Sequence, residues 1–279
     1  MIAARSVFKN FKVVERMLPD IDEPFSGIQL FGSDVGYMVK AAVFLQKYGK
    51  FIDINAGCPI KKVIKKGAGG ALVKDLPKLL EMVRRIKENI KIPVTVKTRM
   101  GWDRDEADKI YYSLIDAGAD FVVIHARTVK QVFTGRANWE SLGKIKEKPI
   151  PLYISGDIFT PEDAKIALEI SGADGVVVAR GAIGNPWIFN QIKDYISFGR
   201  YEKPSPKERV QMFLKHIEEN VKFFGEPKGI VEMRKFTAAY TRSLPFARKF
   251  REKFKKLQTL QETKALFKEF FKEFGGMLI

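Results

Sequence analysis

Short apolar runs alternate with longer amphipathic segments through most of this chain of 279 residues. Such runs, rich in β-branched residues and separated by helical patterns, predict a parallel sheet covered by helices. A unit that recurs in this way favours a (β/α) barrel over an open sheet. No GxGxxG motif follows the first run, which argues against a dinucleotide-binding sheet. The apolar runs are 27–31, 51–55, 94–99, 121–126, 151–155 and 175–179.

The number of strands limits how the barrel can close. Eight parallel strands close a barrel of this type. The sequence contains six full strand–helix units, and residues 1–4 could be the tail of a seventh strand. We therefore expect an α/β fold, a TIM-type (β/α) barrel that lacks its first βα unit.

The alternation stops at about residue 205, after the proline-rich sequence 204–206. Ser205, followed three residues later by Glu208, predicts a capping box at the start of a helix. We expect two domains, a barrel over 1–200 and a basic, all-helical domain over 201–279. The predicted helices of the second domain are 206–224, 228–241, 245–256 and 260–273.

Positive charge is concentrated in the second domain. The chain has 49 basic and 33 acidic residues, a net charge of +16, and the segment 234–256 has nine basic residues against one acid. Five aromatic residues are interleaved there, so the segment is either a solvated helical face with its aromatic rings in a core or a surface for a polyanion such as RNA. These aromatic residues are Phe236, Tyr240, Phe246, Phe250 and Phe254.

Several classes of protein are excluded by composition. A single cysteine, Cys58, excludes a disulfide framework and a cysteine-rich zinc site, and we expect no metal. The sequence has no apolar run long enough to span a membrane and no signal peptide at its start. We expect a cytoplasmic protein without a membrane partner, and a monomer is favoured.

Polar residues cluster at the carboxyl ends of the apolar runs, where barrel enzymes build their sites. Lys97 on an otherwise apolar strand needs an anion or an electron-rich partner. His216 lies in a charged helical pattern and is interpreted as structural, whereas 67–70 (GAGG) could form either an anion-binding nest or a simple turn. The strand-end candidates are Gln29, Asp53, Asn55, Cys58, Lys97, Arg99, His125, Arg127, Ser155, Gly156, Asp157, Ala179 and Arg180.

Two glycine-bearing turns, 155–157 and 179–181, follow the last two runs. Loops in this position often hold a phosphate in barrel enzymes. Together with the Gln29 amide and the Lys97 ammonium they suit a phosphorylated ring cofactor, and flavin mononucleotide (FMN) fits this pattern.

Eight short motifs, taken together, resemble the tRNA-dihydrouridine synthase family. Their order and spacing match the family pattern across nearly the whole chain. The motifs are 53–59 (DINAGCP), 67–72 (GAGGAL), 96–99 (VKTR), 125–128 (HART), 133–136 (FTGR), 155–157 (SGD), 179–187 (ARGAIGNPW) and 232–236 (EMRKF).

The resemblance implies a flavin-dependent reductase that converts uridines of tRNA to 5,6-dihydrouridine. Hydride would pass from reduced FMN to C6 of uracil, and Cys58 would give a proton to C5, since a cysteine thiol is mostly protonated at neutral pH. NADPH, or NADH, would be the reductant. The implied flavin contacts are Gln29, Lys97, His125, Ser155, Gly156, Asp157, Ala179 and Arg180. The implied substrate contacts are Asn55, Arg99, Arg127, Arg234 and Lys235.

The sequence departs from the family pattern at two places. The usual first strand, which ends in Ala-Pro-Met, is not in this sequence, and position 155 is Ser where relatives often have Asn. Two other functions stay open. One is an FMN barrel dehydrogenase acting on a free pyrimidine, and the other is an RNA-binding protein with impaired flavin binding.

Overall fold

The structure is a computed structural model that describes residues 1–20, 23 and 25–275, with side chains as far as 272. Contacts divide it into two compact units. Unit 1 comprises Met1–Ile158 and Asp163–Val177, and unit 2 comprises Phe159–Glu162 and Val178–Ile279. The predicted domain boundary at 200/201 stays a prediction.

Unit 1 is built on a parallel sheet. Its strands follow one another in chain order, each paired with the next, so every connection is of the βαβ kind. This confirms the TIM-type (β/α) fold and the short strand at the start of the chain. The seven strands of the described residues are β1 (Ile2–Ala3), β2 (Ile28–Phe31), β3 (Ile52–Ala56), β4 (Val94–Arg99), β5 (Phe121–His125), β6 (Leu152–Ser155) and β7 (Gly175–Val177).

The two faces of the sheet differ in chemistry because successive side chains of a strand alternate. One face is apolar, with Ile52, Ile54, Val94 and Val96 fully buried. The other carries polar layers set by the strand register. Gln29 pairs with Asp53 and Asp53 with Thr95, Asn55 pairs with Lys97, and Arg99 pairs with His125 and His125 with Ser155.

Amphipathic helices belong to the connections between these strands. Leu79, Met82, Val83 and Ile86 of the longest are fully buried, at the i, i+3, i+4, i+7 spacing of one helical face. The α-helices from the start of the chain to residue 198 are α1 (Ser6–Lys9), α2 (Phe11–Glu15), α3 (Val35–Leu45), α4 (Lys61–Ile64), α5 (Leu76–Asn89), α6 (Ala107–Asp116), α7 (Glu140–Gly143), α8 (Pro161–Ser171) and α9 (Ile188–Phe198).

A repeated Gly-Ala-Asp turn fixes the entry into two strands. Gly118 and Gly172 have φ of +92° and +59°, as expected for glycines that end helices. The following aspartates then reach back to the preceding strand. Asp120 Oδ2 accepts from the backbone N–H of Val94 at 2.7 Å, and Asp174 Oδ2 accepts from that of Leu152 at 2.8 Å.

Unit 2 is helical after residue 178. The capping box at Ser205 and Glu208 is present. The predicted helix 228–241 is interrupted, because a short 3-10 turn, Arg234–Phe236, separates two helices. Phe246, with φ +54°, delays the next helix to Ala247. The helices are α10 (Pro206–Phe224), α11 (Lys228–Met233), α12 (Thr237–Tyr240), α13 (Ala247–Phe254) and α14 (Leu260–Gly275). The other 3-10 turns of the chain are Gln46–Tyr48, Gly69–Val73 and Arg180–Ala182.

The core of this helical unit is aromatic. Phe213 is fully buried and stacks on Tyr240 with ring centroids 4.7 Å apart. Phe250 and Phe254 are buried in the same cluster, whereas Phe246 is exposed. Most aromatic rings of 234–256 therefore face a core, which leaves the cations between them on the surface. Among the described residues, no helix has the length and apolar character needed to cross a membrane.

Candidate active site

A chain of hydrogen bonds crosses the polar face of the sheet at strands β2 to β4. Asp53 accepts from Thr95 Oγ1 at 2.7 Å and from Gln29 Nε2 at 2.6 Å. Gln29 Oε1 in turn accepts from Asn55 Nδ2 at 2.9 Å. Burial raises the pKa of Asp53, and the hydrogen bonds from Gln29 and Thr95 oppose that shift. A carboxylate can only accept at both oxygens, so Asp53 fixes the direction of both amides.

Asn55, at the far end of this series of hydrogen bonds, holds the loop that carries Cys58. Asn55 Oδ1 accepts from the backbone N–H groups of Gly57 at 3.3 Å and Cys58 at 3.0 Å. The Cys58 carbonyl accepts from the N–H of Gly70 at 2.9 Å. Cys58 itself is partly exposed and is a free cysteine. The loop is therefore tied at both peptide groups of Cys58 while the thiol side chain keeps access to solvent.

The glycines of 67–70 serve packing. The N–H groups of Gly67, Ala68 and Gly70 each donate to a carbonyl of the chain, so they are not turned outward as an anion nest would require. A Cβ on Gly69 would lie 2.9 Å from Cβ of Cys58, and Gly69 has φ +60°. Of the two interpretations left open by the sequence, the structure selects the turn, which lies against the cysteine loop.

Lys97 lies in the middle of the polar face. Its ammonium donates to Ser155 Oγ at 3.4 Å, a long contact, and forms no ion pair closer than 4 Å with the described residues. Burial lowers the pKa of Lys97, the charge of Asp53 opposes this, and the charge of Arg99 adds to it. A half-buried ammonium with one weak partner is a cation ready for an electron-rich ligand.

His125 is neutral. Its pKa falls to about 3 because it is buried and because Arg99, Lys97 and Arg127 surround it. Arg127 Nη1 lies 3.3 Å from His125 Nε2, and because an arginine N–H can only donate, Nε2 accepts and the ring proton lies on Nδ1. A Cβ on Gly156 would lie 3.0 Å from the ring, so only glycine allows this loop to pass so close.

Arg127 is 1% exposed, and its guanidinium is hydrogen-bonded to other groups of the protein. It donates to the carbonyls of Thr134 at 3.2 Å and Gly135 at 2.8 Å, and pairs with Asp157 at 2.5 Å. Asp157 also accepts from the N–H of Ala137 at 2.9 Å. In this structure both residues join the loop after β5 to the loop after β6. The predicted contacts of Arg127 with substrate and of Asp157 with cofactor stay predictions.

Arg99 is 2% exposed and is bound in the same way. It donates to the carbonyls of Gly57 at 3.3 Å, Thr128 at 3.0 Å and Val132 at 2.6 Å. Burial, followed by the charge of Arg127, lowers its pKa to about 10. Its charge still acts on His125 and Lys97, but its N–H groups are bonded to the loops around Cys58.

The remaining predicted site residues belong to unit 2. Ala179 precedes the 3-10 turn Arg180–Ala182, and the Arg180 guanidinium lies 5.2 Å from the ring centre of Phe159. Arg234 donates to the carbonyl of Leu257 at 3.1 Å, and Lys235 is exposed and pairs with Glu232 at 2.7 Å.

His216 is structural, as the sequence indicated, because its Nδ1 lies 3.1 Å from the Tyr240 hydroxyl inside the helical unit. Asp53, one of the strand-end candidates, and Thr95 are positioning residues whose role the sequence did not predict. Their only signal is the two-residue spacing to Asn55 and Lys97, which puts them on the same face. Among the described residues, no group of three or more His, Cys, Asp or Glu could hold a metal ion.

The chain is similar in sequence to known proteins. The dihydrouridine synthase family model matches residues 1–274. The tRNA-dihydrouridine synthase B of Pseudomonas aeruginosa is 37% identical over 90% of this chain and 77% of its own length. The probable tRNA-dihydrouridine synthase of Rickettsia typhi is 37% identical over 90% and 79%, and the synthase B of Shewanella oneidensis is 34% identical over 96% and 84%. The chain therefore belongs to the dihydrouridine synthase family.

Proposed function

We propose that this protein reduces uridines of tRNA to 5,6-dihydrouridine. The main observation in support is an accessible cysteine, Cys58, at the carboxyl end of β3. Hydrogen bonds to its peptide groups hold it there, next to a face of cations and amides. The reaction adds a hydride to C6 and a proton to C5 of uracil, which converts the C5–C6 double bond to a single bond. Family membership and the names of the relatives support the substrate.

The residues on the polar face fit FMN. Lys97 offers an ammonium with only a weak hydroxyl partner, and Gln29 uses its Nε2 group once, on Asp53, which leaves one N–H for a ligand. We propose that Gln29, Lys97, His125 and Ser155 bind the ring system. Gly156, Asp157, Ala179 and Arg180 are the proposed phosphate-loop residues. Bound FMN would supply the hydride after reduction by NADPH or NADH.

Side chains of the protein then supply the proton that is added to C5 and hold the reacting groups in position. Cys58 Sγ donates its proton to C5 as general acid. Asn55 has committed its Oδ1 to the loop, so we assign it to holding Cys58 as well as to contacting the substrate through its remaining N–H. Neutral His125 donates from Nδ1, and Lys97 and Arg99 lend positive charge to the oxygen on which negative charge develops.

A uridine inside folded tRNA must leave its stack to reach such a site. The helical domain would hold the body of the tRNA through backbone phosphates. We propose Arg234, Lys235 and the exposed cations of 234–256 as part of this surface. The positive charge of the segment supports the proposal, and the inward-facing aromatic rings leave the cations outside.

The test uses the purified full chain. We expect absorption bands at about 370 and 450 nm from bound oxidised flavin. With NADPH and an unmodified tRNA transcript, dihydrouridine should form, as measured by mass spectrometry of the digested RNA. Free uracil and free uridine serve as controls and should not be reduced.

Two results would change the assignment. Reduction of the free pyrimidine with none of the tRNA would favour a free-pyrimidine dehydrogenase. A colourless protein that binds tRNA in a salt-dependent manner and reduces nothing would favour an RNA-binding protein.

A further inference from the structure

Unit 2 contains an open cleft of about 650 Å³ that is lined by cations. Its walls come from the 3-10 turn Arg180–Ala182, the segment between α9 and α10, the first turn of α10 and the residues around the end of α12. We call it the cationic cleft. The lining residues used below are Phe159, Arg180, Tyr201, Lys203, Arg209 and Arg242.

Besides Arg180, which the proposed function assigns to the cofactor, three cations line this cleft, namely Lys203, Arg209 and Arg242, and no Asp or Glu is among its described lining residues. Like charges at this spacing repel, and burial together with the charge of Arg242 lowers the pKa of Arg209. The carboxylate of Glu162, which follows the lining residue Pro161, accepts from the Tyr201 hydroxyl at 3.1 Å. A concentration of positive charge without lining acids creates a field that attracts an anion.

Arg209 is held in place for such a ligand. One of its terminal nitrogens, Nη2, donates to the carbonyls of Tyr240 at 3.1 Å and Arg242 at 2.8 Å. The other N–H groups of its guanidinium form no hydrogen bond with the described residues. A guanidinium anchored by one nitrogen leaves a planar edge that matches two oxygens of a phosphate, and little side-chain entropy remains to be lost.

The floor of the cleft depends on a close backbone approach. Gly184 has φ +75°, and a Cβ there would lie 2.7 Å from Cβ of Ala239 and 3.0 Å from the Tyr240 nitrogen. Only glycine brings this loop so near the end of α12. The same segment, Ala239 to Arg242, provides the carbonyls that anchor Arg209.

The aromatic rings of the cleft are already engaged. The Arg180 guanidinium covers Phe159 at 5.2 Å, and Tyr201 packs edge-on against Tyr195 with ring centroids 5.8 Å apart. Both rings therefore already have a contact with a side chain of the protein. The cleft provides positive charge and N–H donors, which recognise phosphate oxygens.

We propose that the cationic cleft binds a backbone phosphate of the tRNA and sets the register of the RNA on the helical unit. The proposal rests on the function proposed above. Of the four cations only Arg242 belongs to the segment 234–256, so the cleft is a site separate from the general surface of that segment.

The test is tRNA binding by the full chain as a function of NaCl concentration. Lys203→Gln and Arg242→Gln each remove one exposed cation of the cleft. We expect each to weaken binding of an unmodified tRNA transcript by roughly 3- to 10-fold and to reduce the salt slope by about 1. Both side chains are exposed, so both variants should fold, which circular dichroism checks.

Matched controls remove the same charges elsewhere. Lys78→Gln and Arg85→Gln lie on α5, where both side chains are exposed and neither lines the cleft. They should change tRNA affinity by less than about 2-fold. Arg248→Gln, on the segment 234–256 but outside the cleft, should have a smaller effect than Arg242→Gln.

Three results would overturn the proposal. These are an unchanged salt slope in the cleft variants, an effect of Arg248→Gln as large as that of Arg242→Gln, and a raised KM for NADPH with unchanged tRNA binding. The last would assign the cleft to the phosphate of the reductant. The proposed activity is judged separately by dihydrouridine formation in the parent protein, so either proposal can fail alone.

Discussion

The polar face of the sheet and the cationic cleft both concentrate positive charge, but they use it differently. Arg99, at the end of β4, and Arg127, just after β5, are almost fully buried and donate to carbonyls of the neighbouring loop. Lys203 and Arg242 in the cleft are exposed. A buried cation must be satisfied within the fold, so it shapes loops and tunes its neighbours. An exposed cation costs little to keep unpaired and is available to a large anion.

The largest expected effect is a loss of turnover in Cys58→Ala without a loss of tRNA affinity. Cys58→Ala removes the proposed proton donor, and we expect turnover to fall by about 10²- to 10⁴-fold, as is usual for a general acid. The affinity for tRNA should stay within a factor of about 2, because no cation of the cleft is changed. Single-turnover reduction and equilibrium tRNA binding measure the two effects. Turnover at the parent rate would remove Cys58 from the mechanism.

The second prediction compares buried and exposed arginines directly. Arg127→Ala should lower the free energy of unfolding by about 3–5 kcal/mol, because it removes the partner of Asp157 and the donor to two loop carbonyls. Arg242→Ala should change it by less than about 0.5 kcal/mol. Urea unfolding of both variants measures the difference. Equal losses would contradict the distinction drawn between the two regions.

The third prediction concerns Asp53. Asp53→Ala leaves Gln29 Nε2 and Thr95 Oγ1 without their acceptor, at a cost of about 1–3 kcal/mol in the free energy of unfolding. Because the Asn55 amide loses its orientation, kcat should fall more than KM rises. Asp53→Asn, which keeps one acceptor oxygen, should recover part of kcat. Asp103→Ala, which removes an exposed carboxylate paired with Lys130, is the control and should leave kcat unchanged.

The smallest expected effect, taken per pH unit, is on the pH dependence of stability. The pKa of His125 is about 3 in the folded protein, well below the value of about 6.5 expected when unfolded. The unfolded chain therefore binds the extra proton first, and stability contributed by neutral His125 is lost as the pH falls from about 6.5 toward 3, by at most about 1.4 kcal/mol per pH unit. In His125→Gln this slope should shrink, as thermal unfolding between pH 4 and about 7 would measure. An unchanged slope would mean that other groups cause it.

Much of unit 1 could be predicted because its signals are local. The strand 94–99 has the predicted bounds, since a run of β-branched residues is visible in the sequence alone. The capping box at Ser205 and Glu208 is equally local. The interruption of the predicted helix 228–241 was missed. Thr237 and Thr241 donate to carbonyls four residues earlier, a competition for backbone groups that helical periodicity does not reveal.

The sequence by itself determined the parallel (β/α) arrangement, the helical end of the chain, the family and the set of polar residues at the strand ends. These depend on period, composition and motif, all of which are properties of neighbours along the chain. Only the tertiary structure decided which contacts those residues make. The direction of the Asp53–Gln29–Asn55 chain, the neutral state of His125, the burial of Arg127 and the grouping of Arg180, Lys203, Arg209 and Arg242 around one cleft arise from contacts between distant segments. Hydrogen bonding and desolvation depend on distances in space, and the spacing of residues along the chain does not specify them.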